Sequence, residues 1–202
     1  MIKNIIFDWA GCLIDDLTQN YEAAMYIFEK LNLKKLSLEE FKKTFKLPYM
    51  EFYKAYTEAS KKEIDTLFIE GLKQASNPKL FPSTKETLGF LKKEEIKMTL
   101  LSSHPQEKLL EELKKFDVEN YFLDVTGSVH DKTQVIKEHM ERNGFSVEET
   151  AYVGDMVHDI LAGKEAKVTT IAISWGFQSK DKLNAENPDY LINNIKEIKN
   201  LI

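Results

Sequence analysis

The sequence predicts an α/β protein: a doubly wound parallel sheet with a small all-helical segment inserted after its first strand. Three observations carry this. Short apolar runs alternate with helical patterns along most of the chain. Those runs lack the polar–apolar alternation of a half-exposed strand, which suits strands covered on both faces. The alternation is suspended over residues 17–78, where only helical patterns occur. A chain of 202 residues can build one full core and one small lobe, not two large domains.

Taken in order, the first strand is Ile2–Phe7, running into Asp8 and a turn at Ala10-Gly11. Helices are expected next over Tyr21–Leu31, Ser37–Phe45, Tyr49–Ala59 and Lys61–Ala75. Ser37 followed three residues on by Glu40 is a capping-box pattern. Pro48 and Pro78 punctuate this stretch, and SNPKLFPS, Ser76–Ser83, reads as the return linker. The helix Thr84–Glu94 carries Leu88 and Leu91 on one side. Strand Met98–Ser102 follows. The helix Pro105–Phe116 carries Leu109, Leu110, Leu113 and Phe116 at helical spacing. Strand Phe122–Thr126 precedes a helix over Asp131–Asn143, with Val135, Ile136 and Met140 inward and Gly144 as C-cap. Ala151–Val153 and Thr169–Ile173 complete the strands. The expected division is a core domain of residues 1–16 and 79–202 and a helical domain of residues 17–78.

Composition narrows the partners. The net charge is −5 and no basic block stands free of acidic neighbours, so neither nucleic acid nor an anionic membrane surface is expected. Runs such as Lys92-Lys93 and Lys114-Lys115 are interleaved with Glu and read as solvated helix faces. No segment reaches the ~20 apolar residues of a membrane span. One cysteine, Cys12, precludes an internal disulfide and fits a reducing compartment, so a cytoplasmic protein is expected. A monomer and a homodimer are equally compatible with the sequence.

In an open parallel sheet, ligands bind beyond the carboxyl ends of the strands. Asp8, Ser102, Ser103 and Asp155 occupy those ends. A carboxylate ending an apolar strand is costly unless it is paired, hydrogen-bonded or bound to metal. Taken alone, Asp8 reads as a turn or cap residue. The second acidic element, GDMVHD (Gly154–Asp159), reverses that reading. It too follows an apolar strand, and a helix from Val157 would bring Asp155 and Asp159 near one face. Three carboxylates make a hard-oxygen cluster suited to Mg²⁺. Ser102 reads either as a cap for the following helix or as a hydroxyl donor to a phosphoryl oxygen. Lys132, in HDKTQVI, can neutralise both Asp8 and a bound phosphate.

With these residues in place, the chain resembles the haloacid dehalogenase superfamily. FDWAGCLIDD resembles its nucleophile loop, LLSSH its Ser/Thr strand end, Lys132 its lysine motif and YVGDMVHDI its acidic motif. The four occur in order and span the chain. The helical insertion is similar to the α-helical cap of the first subclass, on a Rossmann-like core. The resemblance implies a small phosphorylated metabolite as substrate and Mg²⁺ as cofactor. It implies Asp8 as nucleophile, Ser102, Ser103, Gly11 and Lys132 around the phosphate, and Asp8, the Ala10 carbonyl, Asp155 and Asp159 at the metal.

One position departs from the family pattern. Two residues after the nucleophile the family usually places a second Asp, which protonates the leaving oxygen and activates water. Here it is Ala10, and loss of a positioned acid/base typically forfeits ~10²–10⁴ in rate. Three readings follow. DWAG resembles phosphonoacetaldehyde hydrolase, which cleaves a C–P bond through a cap lysine, although Tyr49 stands at that lysine's position and Lys46 and Lys54 only nearby. Alternatively the protein is a phosphatase with another acid, for which His104 and His158 are candidates. The third reading is a phosphate- and Mg²⁺-binding regulatory protein without turnover.

Overall fold

The computed structural model describes all residues, Met1–Ile202. The elements run β1 (Asn4–Asp8), β2 (Ile14–Asp15), α1 (Leu17–Lys30), α2 (Leu38–Thr44), α3 (Tyr49–Tyr53), α4 (Lys61–Leu72), β3 (Lys79–Leu80), α5 (Thr84–Lys93), β4 (Lys97–Leu101) and α6 (Gln106–Lys115). They continue β5 (Val125–Thr126), α7 (Lys132–Asn143), β6 (Thr150–Gly154), α8 (Val157–Glu165), β7 (Thr169–Ile173), α9 (Lys180–Ala185) and β8 (Tyr190–Ile192). Two compact units result: Met1–Asp15 with Leu80–Ile202, and Asp16–Lys79.

The first unit is built on a six-stranded sheet in the order β5-β4-β1-β6-β7-β8, parallel throughout. Both of its faces are covered, which is why the strands read as unbroken apolar runs. Ile5 and Phe7 pack on one face with Leu88 and Leu91 of α5 and Leu109 and Leu113 of α6. Ile6 packs on the other with Ile136 and Met140 of α7 and Ala162 of α8. Ile5, Ile6 and Phe7 have no exposed surface, and each such side chain contributes roughly 1.5–3 kcal/mol. The chain crosses from β1 to β4 on one side and later to β6 on the other. The strand order therefore reverses at β1, and the crevice of a doubly wound sheet opens at its carboxyl end. Register sets Asp8 beside Leu101 and Phe7 beside Val153. Ser102 and Asp155 follow within two residues of those partners.

The second unit is helical. The Ser37–Glu40 capping box forms in full at the start of α2. Phe28, Phe41, Phe52 and Tyr53 are buried and stack or meet edge-on. Aromatics at helical spacing here make the unit's own core.

Several elements differ from expectation: α1 begins at Leu17, β3 lies in the stretch read as the return linker, and β2 and α9 fall where the sequence shows no element. The helix expected over Tyr49–Ala59 stops at Tyr53. The Thr57 hydroxyl accepts from the Ala59 amide and Ser60 caps α4, local acceptors that compete with helical bonding. The strand expected from Phe122 shortens to Val125–Thr126 at the sheet edge, where Leu123 is exposed. The opposite edge strand, β8, follows Asn187-Pro188-Asp189 and is only three residues long, too short for a periodic signal.

Candidate active site

β1 delivers Asp8 to the crevice, where it is 4% exposed. Its Oδ1 accepts from the Trp9 amide at 2.9 Å and its Oδ2 from Lys132 Nζ at 2.9 Å. Lys132 is the first residue of α7, the end of a helix that disfavours a cation. Its position is explained instead by the carboxylates it spans, since the same Nζ donates to Asp159 Oδ1 at 2.6 Å. Burial would depress the Lys132 ammonium, but Asp159 and Asp8 together raise it above its ordinary value. Burial pushes Asp8 up to about 6 against the opposing pull of Lys132.

Asp159 works differently from the expected pairing on one helical face. Asp155 precedes α8, and Asp159, in its first turn, folds back on the loop. Its Oδ2 accepts from the amides of Asp155 and Met156, and its Oδ1 accepts from Tyr152 as well as Lys132. Both oxygens are thus engaged by protein. Asp155 is the contrast. Its Oδ2 accepts from the Phe177 amide, but its Oδ1 is buried without a hydrogen-bond partner. Burial, with Asp159 and Asp8 nearby, pushes its carboxyl well above the ordinary range.

Donor oxygens of Asp8, Asp155 and Asp159 lie within 4.8 Å of one another. Three carboxylates against one ammonium give, with all of them ionised, a formal excess of two negative charges in a buried space. An orphaned carboxylate oxygen and that imbalance both fit a divalent cation, and oxygen-only donors suit a hard one. Two glycines make room for Asp155. A Cβ on Gly11, which has φ +69°, would lie 2.4 Å from Asp155 Oδ2, and one on Gly176 would lie 2.2 Å from it.

The remaining sequence-predicted residues divide. Ser102 is fully buried; its Oγ accepts from the His104 amide at 3.1 Å, and α6 has no side-chain cap. Ser103 is exposed. The Gly11 amide, expected at the phosphate, donates to the Ile14 carbonyl inside its own loop. Gly11 serves the site by the space it leaves. Ala10 is half-buried. Cys12 is fully buried, and burial pushes its thiol well up, a structural role. His158 is exposed, whereas the His104 ring meets Glu112 at 3.2 Å. Trp175 packs by donating its indole N–H to the Cys12 carbonyl. Lys54 is exposed and paired with Glu51 at 2.8 Å, which raises its pKa. Lys46 is exposed. Tyr49 donates its hydroxyl to Asp65.

Several participants escape sequence reading. Tyr152 sits in an apolar run, which conceals that its hydroxyl holds Asp159. Phe177 acts through its backbone, and Gln178, whose Oε1 accepts from the Val157 amide at the start of α8, lies 21 residues from its partner. Glu112, on α6, shows only as one of many helical acids.

Fold and site together define a parallel α/β protein with a lysine-bridged, cation-ready acidic cluster at the switch point of its sheet. The family model of the haloacid dehalogenase-like hydrolases matches residues 5–173, and the chain belongs to that family. Among its relatives, pyrophosphatase PpaX of Oceanobacillus iheyensis is 28% identical over 210 residues, covering all of this chain and 97% of its own. Phosphoglycolate phosphatase of Vibrio parahaemolyticus is 27% identical over 128 residues, 61% of this chain and 56% of its own. Among solved structures, a haloacid dehalogenase-like family hydrolase from Streptococcus pneumoniae superimposes with a TM-score of 0.86 at 21% identity. It covers 99% of this chain and 98% of the other. No helix is long and apolar enough to cross a membrane.

Proposed function

We propose that this protein is a Mg²⁺-dependent phosphohydrolase. It acts on a small phosphorylated metabolite through an aspartyl-phosphate on Asp8, with Ala10 at the usual acid/base position. The observation that carries this reading is the buried cluster in which Lys132 bridges Asp8 and Asp159 while Asp155 Oδ1 lacks a partner. The relatives' names, a pyrophosphatase and a phosphoglycolate phosphatase, support the same substrate class.

In this reading Asp8, the Ala10 carbonyl and Asp155 hold the metal, and Asp159 supports it by anchoring Lys132 and the 155–156 loop. Mg²⁺ in that place supplies charge neutralisation that lets an anion approach a phosphate. An Asp8 carboxylate oxygen attacks phosphorus as the bond to the leaving oxygen breaks, and water then releases orthophosphate from the aspartyl ester. Lys132 keeps Asp8 oriented and offsets charge on the phosphoryl oxygens. The Ser102 hydroxyl, already accepting from His104 N, has its own proton to give to a phosphoryl oxygen. A Schiff-base route would need a lysine with a lowered pKa. Lys54, raised by Glu51, and the hydroxyl at Tyr49 favour the phosphate reading over the phosphonate one. The single buried cysteine suits the cytoplasm.

The test is orthophosphate release with Mg²⁺ from an aryl phosphate, an acyl phosphate, phosphoglycolate, pyrophosphate, sugar phosphates and phosphonoacetaldehyde. Wild type is run beside Asp8→Asn. Turnover of a phosphate compound is expected, lowered by on the order of 10⁴-fold or more in the variant. Release that survives Asp8→Asn, or none on any compound, overturns the proposal.

A further inference from the structure

Residues 175–178, just after β7, are fastened to three parts of the site at once. The Trp175 indole N–H donates to the Cys12 carbonyl at 3.1 Å, in the nucleophile loop. The Phe177 amide donates to Asp155 Oδ2. Gln178 Oε1 accepts from the Val157 amide at 2.7 Å, where α8 begins. Phe177 and Gln178 are buried, and Trp175 packs on the core cluster. At Gly176 a Cβ would lie 2.4 Å from Asp155 Cβ and 2.2 Å from its Oδ2. The backbone of this segment therefore runs directly against the Asp155 side chain.

This arrangement limits which oxygens face a cation. Asp159 has both oxygens engaged, by Lys132 and Tyr152 on one and the amides of Asp155 and Met156 on the other. Asp8 has one on the Trp9 amide and one on Lys132. Asp155 has Oδ2 on the Phe177 amide and Oδ1 without a partner. The cluster thus presents no carboxylate with both oxygens open. Mg²⁺ demands near-octahedral geometry and keeps several waters, whereas Ca²⁺ takes about six to eight oxygens, with bidentate carboxylates among them. We propose that Trp175 and Gln178 are positioning residues: by holding the Phe177 amide on Asp155, they keep that carboxylate a one-oxygen ligand and raise the site's affinity for Mg²⁺ relative to Ca²⁺. The inference rests on the Mg²⁺ reading above. Neither side chain is a ligand; each acts through the backbone it fixes. Trp175 ties the segment to the nucleophile loop, and Gln178 ties it to the start of α8, two residues past Asp155. With either bond removed, the Phe177 amide parts from Asp155 and the carboxylate turns to offer both oxygens.

The ratio of the two cation affinities separates this role from a structural one. Wild type, Gln178→Met and Trp175→Phe are titrated calorimetrically with Mg²⁺ alone and with Ca²⁺ alone. Each substitution keeps an apolar or aromatic body and removes the hydrogen-bonding group. Gln178→Met is expected to weaken Mg²⁺ binding by about 10–100-fold, the usual size for disturbing a ligand's support. Ca²⁺ binding should stay within about threefold, because a carboxylate freed to turn suits that ion. Trp175→Phe should move the ratio in the same direction by less. Melting curves without cation report whether each variant is folded; where Gln178→Met is not, the Trp175→Phe ratio decides. A Mg²⁺-to-Ca²⁺ ratio that stays at the wild-type value or rises, including equal losses for both ions, overturns the positioning role and leaves the Mg²⁺ reading intact. Wild type that binds neither ion removes that reading and the inference with it.

Discussion

Both units bury an apolar core, but only the core unit also encloses a cluster of charges. At the switch point of the sheet the most enclosed groups are charged: Asp8, Lys132, Asp155 and Asp159 are 4% exposed or less. In the helical unit the enclosed groups are aromatic, with Phe28, Phe41 and Phe52 at 1% or below. Burying the aromatics is favourable in itself. Burying the charges is costly, and their mutual pairing only partly offsets the cost. A cluster with a formal excess of two carboxylates sits where hydrophobic side chains would pack more cheaply, and on that cost the proposed metal binding rests. The helical unit holds no such cluster: Asp16, at its border, is buried, and other titratable groups pair at the surface, as Lys54 does with Glu51 and Lys61 with Asp65.

The comparison can be broken most sharply by paired substitutions. Lys132→Met strips the only cation from three buried carboxylates and should cost about 3–5 kcal/mol in chemical denaturation, with part of the loss restored by Mg²⁺. Phe52→Ala should cost a similar ~3–5 kcal/mol by opening a cavity, with a Mg²⁺ stabilisation no larger than the wild type's. Equal Mg²⁺ responses in the two variants would deny the distinction. A smaller effect is expected at Gly176. Gly176→Ala pushes a methyl into Asp155 and should weaken Mg²⁺ binding by roughly 10–100-fold, the usual size for disturbing a ligand's support; calorimetric titration reads it directly.

The pH response of metal-free protein is a third and gentler test. Asp8 and Asp155 are raised in the folded state, so the folded chain holds their protons more tightly than the unfolded chain does. The stability they contribute is present at low pH. It is lost as pH rises from an unfolded value near ~3.9 through the folded value, about 6 for Asp8. Lys132, raised, keeps its proton across that window. The rise in Tm on adding Mg²⁺ should therefore be larger at pH 7.5 than at pH 5. A rise that is the same at both, or larger at pH 5, contradicts the buried-charge account. The smallest effect is predicted in the helical unit: Lys54→Met should leave phosphate release within about twofold, as for any exposed ion pair. A large loss there, with borohydride inactivation in the presence of an aldehyde, would return the phosphonate reading.

Much of this was legible in the residues. Unbroken apolar runs such as Ile5–Phe7 announced strands covered on both faces, and the Ser37–Glu40 box marked the start of α2. The strand-end rule finds Asp8, Ser102 and Asp155 without coordinates, Asp159 follows from its spacing to Asp155, and Lys132 from its helix-start position and the family resemblance. Less legible were groups whose partners are far along the chain. Tyr152 looks apolar in its run. Glu112 looks like any helical acid until α6 packs on β1 and its carboxylate meets Trp9 and His104.

By itself, the sequence determined the element types, the helical insertion and the residues able to do chemistry, because periodicity, capping and strand ends are local properties. Tertiary structure alone decided how those residues divide the work. Packing engaged both oxygens of Asp159 and left one of Asp155 open. It turned the Gly11 amide inward and drew the His104 ring to Glu112. Each outcome depends on which groups meet across the sheet, and burial makes those meetings count, because a charge out of water must find a partner wherever the fold supplies one.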